Sequence, residues 1–332
     1  MSFLRRLFII SFPTFILLLL LLEGLLRATG YVPYFQNALA FAPSNNPVLL
    51  YSLRPNFSGL YAGVPIHINS QGFRGKELSH QNDSSAFRVV IAGDSIAFGQ
   101  GVSEGETLAE QLNADLQRKH GSNVEVINLG VPGYDTCQED LKFREDALPL
   151  KPRILILLYC ENDVDPGLIT VKNGVVISSD VRTGLFGDLM AGARKHCDVY
   201  NFVWARWQVL KSRKLSVTEY SAILARKYDE NYPGWKRSKA CLADLASLAK
   251  AQSIRVIVIP FPTAGGLRYK PYPFAGYIKT VCAAAQADDA ECLDVVPSLQ
   301  DPLLRVTVSN IENHPSAEVY AKVAERLESI IP

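Results

Sequence analysis

Six apolar residues follow one another without interruption from Ile154 to Tyr159. A strand of this kind is covered on both faces, which happens almost only where helices cross over a parallel sheet. Similar strand-length runs recur at Phe87-Arg-Val-Val-Ile-Ala92, Val124–Ile127, Ile254–Ile259 and about Cys292–Val296. Stretches of helical character lie between them. Thr107-Leu-Ala-Glu110 is a capping box, and Leu108, Leu112 and Leu116 repeat at helical spacing up to Gly121. Further helices are expected at about 137–147, 235–251, 274–285 and 316–330, the last with Val319, Val323, Leu327 and Ile330 on one stripe. Five βα repeats with short connections predict an α/β domain of three layers, α/β/α, over residues 87–332.

Two stretches lie outside this rhythm. Residues 31–86 read as a membrane-proximal segment of short strands and turns, with His67 as a strand residue among apolar neighbours. Residues 165–236 read as an insertion beside the site or facing the membrane. It holds a possible hairpin at Val171–Ser179 around Asn173-Gly174, then aromatic helical segments containing Phe202, Trp204, Trp207 and Tyr220.

The first 30 residues differ in kind. Arg5 and Arg6 precede a mainly apolar run from Leu7 to about Leu26, and about twenty helical residues span the roughly 30 Å of a bilayer core. A cleaved signal peptide would have a shorter apolar region and a small-x-small site. Arg27-Ala-Thr-Gly-Tyr31 makes a poor one, so an uncleaved single-pass anchor is expected. The leading arginines place the N-terminus inside and the remaining chain outside the cytoplasm, periplasmic or extracellular. Glu23 is expected to snorkel to the interface.

A formal charge of +1 gives no reason to expect a nucleic-acid partner. No zinc spacing, P-loop or dinucleotide fingerprint is present, and Gly99-x-Gly101 lacks the third glycine of a cofactor loop. Six cysteines fit an oxidising compartment but permit fifteen pairings. Cys282 with Cys292, Cys137 with Cys160, and Cys197 with Cys241 are the candidate neighbours, and free buried cysteines are the alternative.

Four short blocks carry the chemistry. Gly93-Asp94-Ser95 ends the first core strand, at the carboxyl edge where open α/β sheets build their sites. Asn128-Leu-Gly-Val-Pro-Gly133 follows the second strand, Glu161-Asn162-Asp163 follows the third, and His314-Pro315 precedes the last helix. In this order the blocks resemble those of the SGNH (GDSL-type) hydrolase family, over roughly Phe87 to the C-terminus. The resemblance implies a flavodoxin-like fold and a serine ester hydrolase. It assigns Ser95 as nucleophile and His314 as general base. Its oxyanion hole falls on the Ser95 N–H, the Gly133 N–H (Gly130 as second choice) and the Asn162 side chain. Two positions depart from the family pattern. Cys160 stands where a glycine is usual, and Glu312 is the adjacent carboxylate that could orient His314, in place of an aspartate. Asp94 and Asp163 are expected to brace their loops by hydrogen bonding to backbone. No metal or cofactor is required by this chemistry.

The expected substrates are O-acyl, above all O-acetyl, esters of envelope carbohydrate or lipid. An O-acyltransferase acting on exported polysaccharide, and a catalytically silent subunit of a membrane complex, are the alternatives.

Overall fold

The computed structural model describes residues 3–29, 37–79, 86–165, 169–172, 175–178, 196–211, 215–309 and 313–332. Its centre is a five-stranded parallel sheet: β5 (Phe87–Gly93), β6 (Val124–Asn128), β7 (Ile154–Tyr159), β10 (Arg255–Pro260) and β11 (Glu291–Cys292). The strand order is β11-β10-β7-β5-β6. Every residue of β7 is buried, as its unbroken apolar run demands.

The chain leaves β5 for β6 on one side and returns past β5 to β7 on the other. Right-handed crossovers reverse face when the chain reverses direction across a sheet. The helix after β5, α3 (Leu108–His120), therefore packs with the last helix, α10 (Ala317–Glu328). The opposite layer joins α4 (Thr136–Lys142), α7 (Pro233–Ala251) and α8 (Ala275–Ala287). The reversal makes the carboxyl end of β5 a topological switch point, where such sheets open a crevice.

Most expected elements form, with shifted ends. Thr107 caps α3 as expected, its Oγ1 accepting from Glu110 N at 3.2 Å, but the reciprocal half of the box does not form: the Glu110 carboxylate accepts from the Thr107 hydroxyl instead of its N–H. The helix expected over 137–147 is α4, continued by a π-helical turn, Phe143–Ala147. The strand expected over 292–296 is only β11. Leu293 N still bonds Val258 O, and the chain then turns into α9 (Val296–Leu299). An edge strand has a partner on one side only, so little holds it extended once the apolar stretch can bury itself in a helical turn.

Ahead of the sheet lie two antiparallel pairs, β1 (Phe41–Pro43) with β2 (Tyr51–Leu53) and β3 (Ser58–Tyr61) with β4 (Val64–His67). His67 is a strand residue whose Nδ1 lies 2.8 Å from Ser58 Oγ. These strands form a second apolar cluster around Tyr51, Ile68, Phe98 and Tyr134. Two of its members tie these strands to the loop after β6, which carries Tyr134. Tyr51 donates its hydroxyl to Pro132 O at 2.7 Å, and Tyr134 donates to Tyr51 O. Arg74, buried nearby, donates to Phe98 O at 2.9 Å and to Val102 O at 2.6 Å.

The stretch after β7 contains the expected hairpin, β8 (Ile169–Lys172) antiparallel to β9 (Val175–Ser178). Two helices follow, α5 (Asp198–Lys211) and α6 (Val217–Lys227). The N-terminal helix α1 (Phe3–Ala28) is apolar and long enough over Ile10–Ala28 to cross a membrane, as a signal sequence also is. Glu23, expected to snorkel, makes specific contacts instead of standing alone. It accepts from the Asp198 and Val199 N–H groups at 3.1 and 2.9 Å, closing the N-terminus of α5.

The disulfides correct two of the three expected neighbour pairs. Cys282 bonds Cys292 as expected, but Cys137 bonds Cys241, and Cys160 and Cys197 are free thiols. The reason is the packing of α4 against α7, which brings Cys137 to Cys241 rather than to Cys160 at the end of β7.

Candidate active site

Ser95 opens a single helical turn, α2 (Ser95–Phe98), directly after β5. The turn is forced to be tight. A Cβ on Gly93 would lie 2.7 Å from Ala97 Cβ and 2.9 Å from Leu158 O, and its φ of +148° is glycine territory. Asp94 caps α2, its Oδ1 accepting from Ile96 N at 2.8 Å. The Ser95 N–H is one of the orphan donors of a helix start. It has no hydrogen-bond partner among the described residues.

His314 arrives from the far end of the chain, on the loop before α10. Its Nε2 lies 2.8 Å from Ser95 Oγ. The loop is held by Val308 N bonding His314 O at 3.0 Å and by Thr307 bridging to Pro315. Gln100 Nε2 stands 3.5 Å from His314 Nδ1, a long contact, and Tyr61 donates to the other end of the same amide at 3.2 Å. Glu312 lies outside the described residues.

Asp94 is the hub of the site. Besides its backbone bond, it accepts from Cys160 Sγ at 3.1 Å, Asn162 Nδ2 at 3.1 Å and Ser95 Oγ at 3.3 Å. It therefore braces two side chains from the end of β7 as well as its own turn. Cys160, in the position where glycine is usual, adds one of these bonds. Burial, with Asp94 and Asp163 close by, pushes its thiol pKa well up, so the sulfur stays a neutral donor.

The two candidate glycines have different surroundings. A Cβ on Gly130 would fall 2.2 Å from Phe98 N, and its own N–H is given to Asn128 Oδ1 at 3.0 Å. Gly133, at φ +82°, has an N–H without a hydrogen-bond partner among the described residues. Val131 N bonds Gly93 O at 3.1 Å, which ties this loop to the strand that carries Ser95.

Asp163 sits behind the site and is fully buried. Its Oδ2 accepts from Thr136 Oγ1 at 3.1 Å, so its carboxyl holds α4, and a backbone contact to Cys160 ties it to its own loop as well. Its Oδ1, and both carboxyl oxygens of the buried Glu139, have no hydrogen-bond partner among the described residues. Burial first, and then the neighbouring acids, raise both pKa values well above the usual range and so disfavour the charged form of each carboxyl.

Ser95, His314 and Asn162 line a cavity of about 480 Å³. Its wall is part apolar (Ile96, Val217, Phe261, Phe274) and part polar. Glu161 accepts from the hydroxyls of Tyr220 and Thr263 there. Tyr220 belongs to α6, so one of the insertion's aromatic residues does reach the site.

A family model of the GDSL-like lipases and acylhydrolases matches residues 91–322. The chain belongs to the GDSL-like lipase/acylhydrolase family. This is a family of esterases and acylhydrolases, and the match takes in the turn at Ser95, the loop at Gly133, Asn162 and His314. Solved structures of similar fold include a putative lipolytic protein of the G-D-S-L family from Desulfitobacterium hafniense, 16% identical over 74% of this chain and 99% of that one, TM-score 0.42. A catalytic mutant of an acetylxylan esterase from Geobacillus stearothermophilus is 15% identical over 73% and 93%, TM-score 0.43. A lipase/acylhydrolase from Enterococcus faecalis is 16% identical over 74% and 97%, TM-score 0.42. No curated protein matches the chain.

Several residues at this site carry no signal in the sequence. Gln100, Arg74 and Tyr51 belong to no motif and act through partners distant in the chain. Cys160 was visible only as a departure from the family pattern, not as a hydrogen-bond donor.

Proposed function

We propose that this family member is an extracytoplasmic serine esterase that cleaves O-acyl esters, O-acetyl esters foremost, of envelope carbohydrate or lipid. The observation that carries the reading is the 2.8 Å approach of His314 Nε2 to Ser95 Oγ on the wall of the cavity. A serine hydroxyl becomes an effective nucleophile when a base removes its proton during attack. His314 takes that proton as Ser95 Oγ adds to the ester carbonyl. The oxygen that becomes negative meets the Ser95 N–H, the Gly133 N–H and the second hydrogen of Asn162 Nδ2, the first being committed to Asp94. Asn162 is thus aimed before substrate arrives, which is what makes such donors effective. Collapse of the adduct expels the alcohol, which takes the proton from His314. Water, activated by the same imidazole, then attacks the acyl-enzyme and releases the acid. Glu312 is the carboxylate assigned to hold the imidazole tautomer.

Two disulfides support an oxidising compartment. An uncleaved α1 with Arg5 and Arg6 on the inner side accounts for attachment and direction.

A fluorophosphonate probe tests the reading, because it reacts with an activated serine and spares a structural one. The full chain should be labelled, and Ser95→Ala should lose both labelling and turnover of an acetyl ester while keeping its fold. A folded wild-type chain that resists the probe overturns the proposal and leaves the silent-subunit alternative. Acetylated oligosaccharide forming faster than free acetate replaces hydrolysis by transfer.

A further inference from the structure

Helix α5 begins at a defined height on α1. Glu23 accepts from Asp198 N and Val199 N, the Cys197 thiol lies 3.7 Å from the same carboxylate, and Arg27 donates to both Glu23 and His196 O at 2.9 Å. A carboxylate at a helix N-terminus meets orphan N–H groups and the positive end of the dipole. Five residues separate Glu23 from Ala28, the end of the apolar span. At 1.5 Å per residue the joint lies about 8 Å inside that end. The two helices pack together from there. A helix seated at this depth cannot face bulk water if α1 is in a bilayer.

The exposed face of α5 suits that position. Val203 and Trp207, one turn apart, are 58% and 55% exposed. The Arg206 guanidinium lies 5.1 Å over the Phe202 ring. The helix has 14 residues, about 21 Å, too short to cross the roughly 30 Å hydrocarbon core. Its sequence runs on into Lys211-Ser-Arg-Lys214, a basic end that complements anionic headgroups. Directly after these come Leu215, Ser216 and Val217, which line the cavity beside Ser95.

We infer that α5 is an interfacial helix. It lies in the headgroup–acyl boundary of the bilayer that holds α1, with Val203 and Trp207 against lipid, and it keeps the wall of the Ser95 cavity beside the membrane surface. The inference rests on α1 remaining as a membrane helix.

The test uses the full chain in vesicles of phosphatidylcholine and phosphatidylglycerol, with acyl chains brominated or not. Three tryptophans are present, of which Trp235 is fully buried. Trp204→Phe leaves Trp207 and Trp235. Bromolipid should remove roughly half of the emission of that variant, the share of one indole at interfacial depth. The double variant Trp204→Phe/Trp207→Phe should show almost no quenching. A chain that floats with vesicles but shows equal quenching in the two variants overturns the inference alone, as does a Trp207 shielded by another protein. A chain that fails to float with vesicles overturns the anchor as well.

Discussion

Replacing Glu139 with glutamine should flatten the pH dependence of stability. Glu139 is fully buried, neither carboxyl oxygen has a hydrogen-bond partner, and Asp163, Asp94 and Asp135 all disfavour its charged form. Its folded pKa is therefore raised above its ordinary value of 4.5. A raised carboxyl pKa means that the folded state binds a proton the unfolded state releases. The stability it confers is fully present below the unfolded value and is lost as pH climbs towards the folded one. The slope for one proton is about 1.4 kcal/mol per pH unit. Above the unfolded value the wild-type chain should therefore lose stability through this group as pH rises from 5 to 7, at a slope no steeper than that of one proton. Glutamine has the same shape and no proton to release, so Glu139→Gln should lose correspondingly less. Equilibrium urea unfolding of the detergent-solubilised chain at pH 5, 6 and 7 measures the difference. Parallel curves for wild type and variant would show that Glu139 ionises in the folded protein at no cost, and would refute the buried, protonated description.

Other substitutions test the remaining contacts. Asn162→Ala should lower kcat on an acetyl ester by about 10²–10³ while leaving KM little changed, as expected of one lost oxyanion donor. Cys137→Ser/Cys241→Ser opens a link of sequence separation 104 and should cost about 2–5 kcal/mol in a denaturant titration. Protease added outside intact spheroplasts should digest the chain beyond α1, and the undigested protein should sediment with membranes; a soluble product starting near residue 30 contradicts the anchor.

The sheet was legible because β7 is apolar through its whole length and its neighbours β5 and β10 are each broken by a single arginine near the start, a pattern with few structural outcomes. The turn at Ser95 was legible because glycine, a capping acid and serine follow the strand immediately. What failed to show depends on contacts between distant elements. Cys137-Gln-Glu-Asp140 reads as the polar start of a surface helix, yet α4 is covered by α7, and Glu139 is buried with it. The pairing of Cys137 with Cys241 follows from the same packing. Glu23 read only as a snorkelling charge because the helix that it closes begins 175 residues later. The edge strand β11 was overestimated because apolar composition does not reveal where a strand runs out of neighbours.

If the chain is threaded outwards behind α1, as proposed above, the Cys137–Cys241 bond sets an order-of-events problem. Cys137 and Cys160 emerge first, into an oxidising space, while Cys241 is still inside. Premature oxidation would then favour Cys137 with Cys160, a pairing that pulls the donor thiol away from Asp94. Burial of Cys160 at the end of β7 protects the correct outcome only once the sheet has formed. On that topology, maturation of the candidate site would be coupled to the pace of translocation, and to whatever thiol exchange the compartment supplies to reverse early errors.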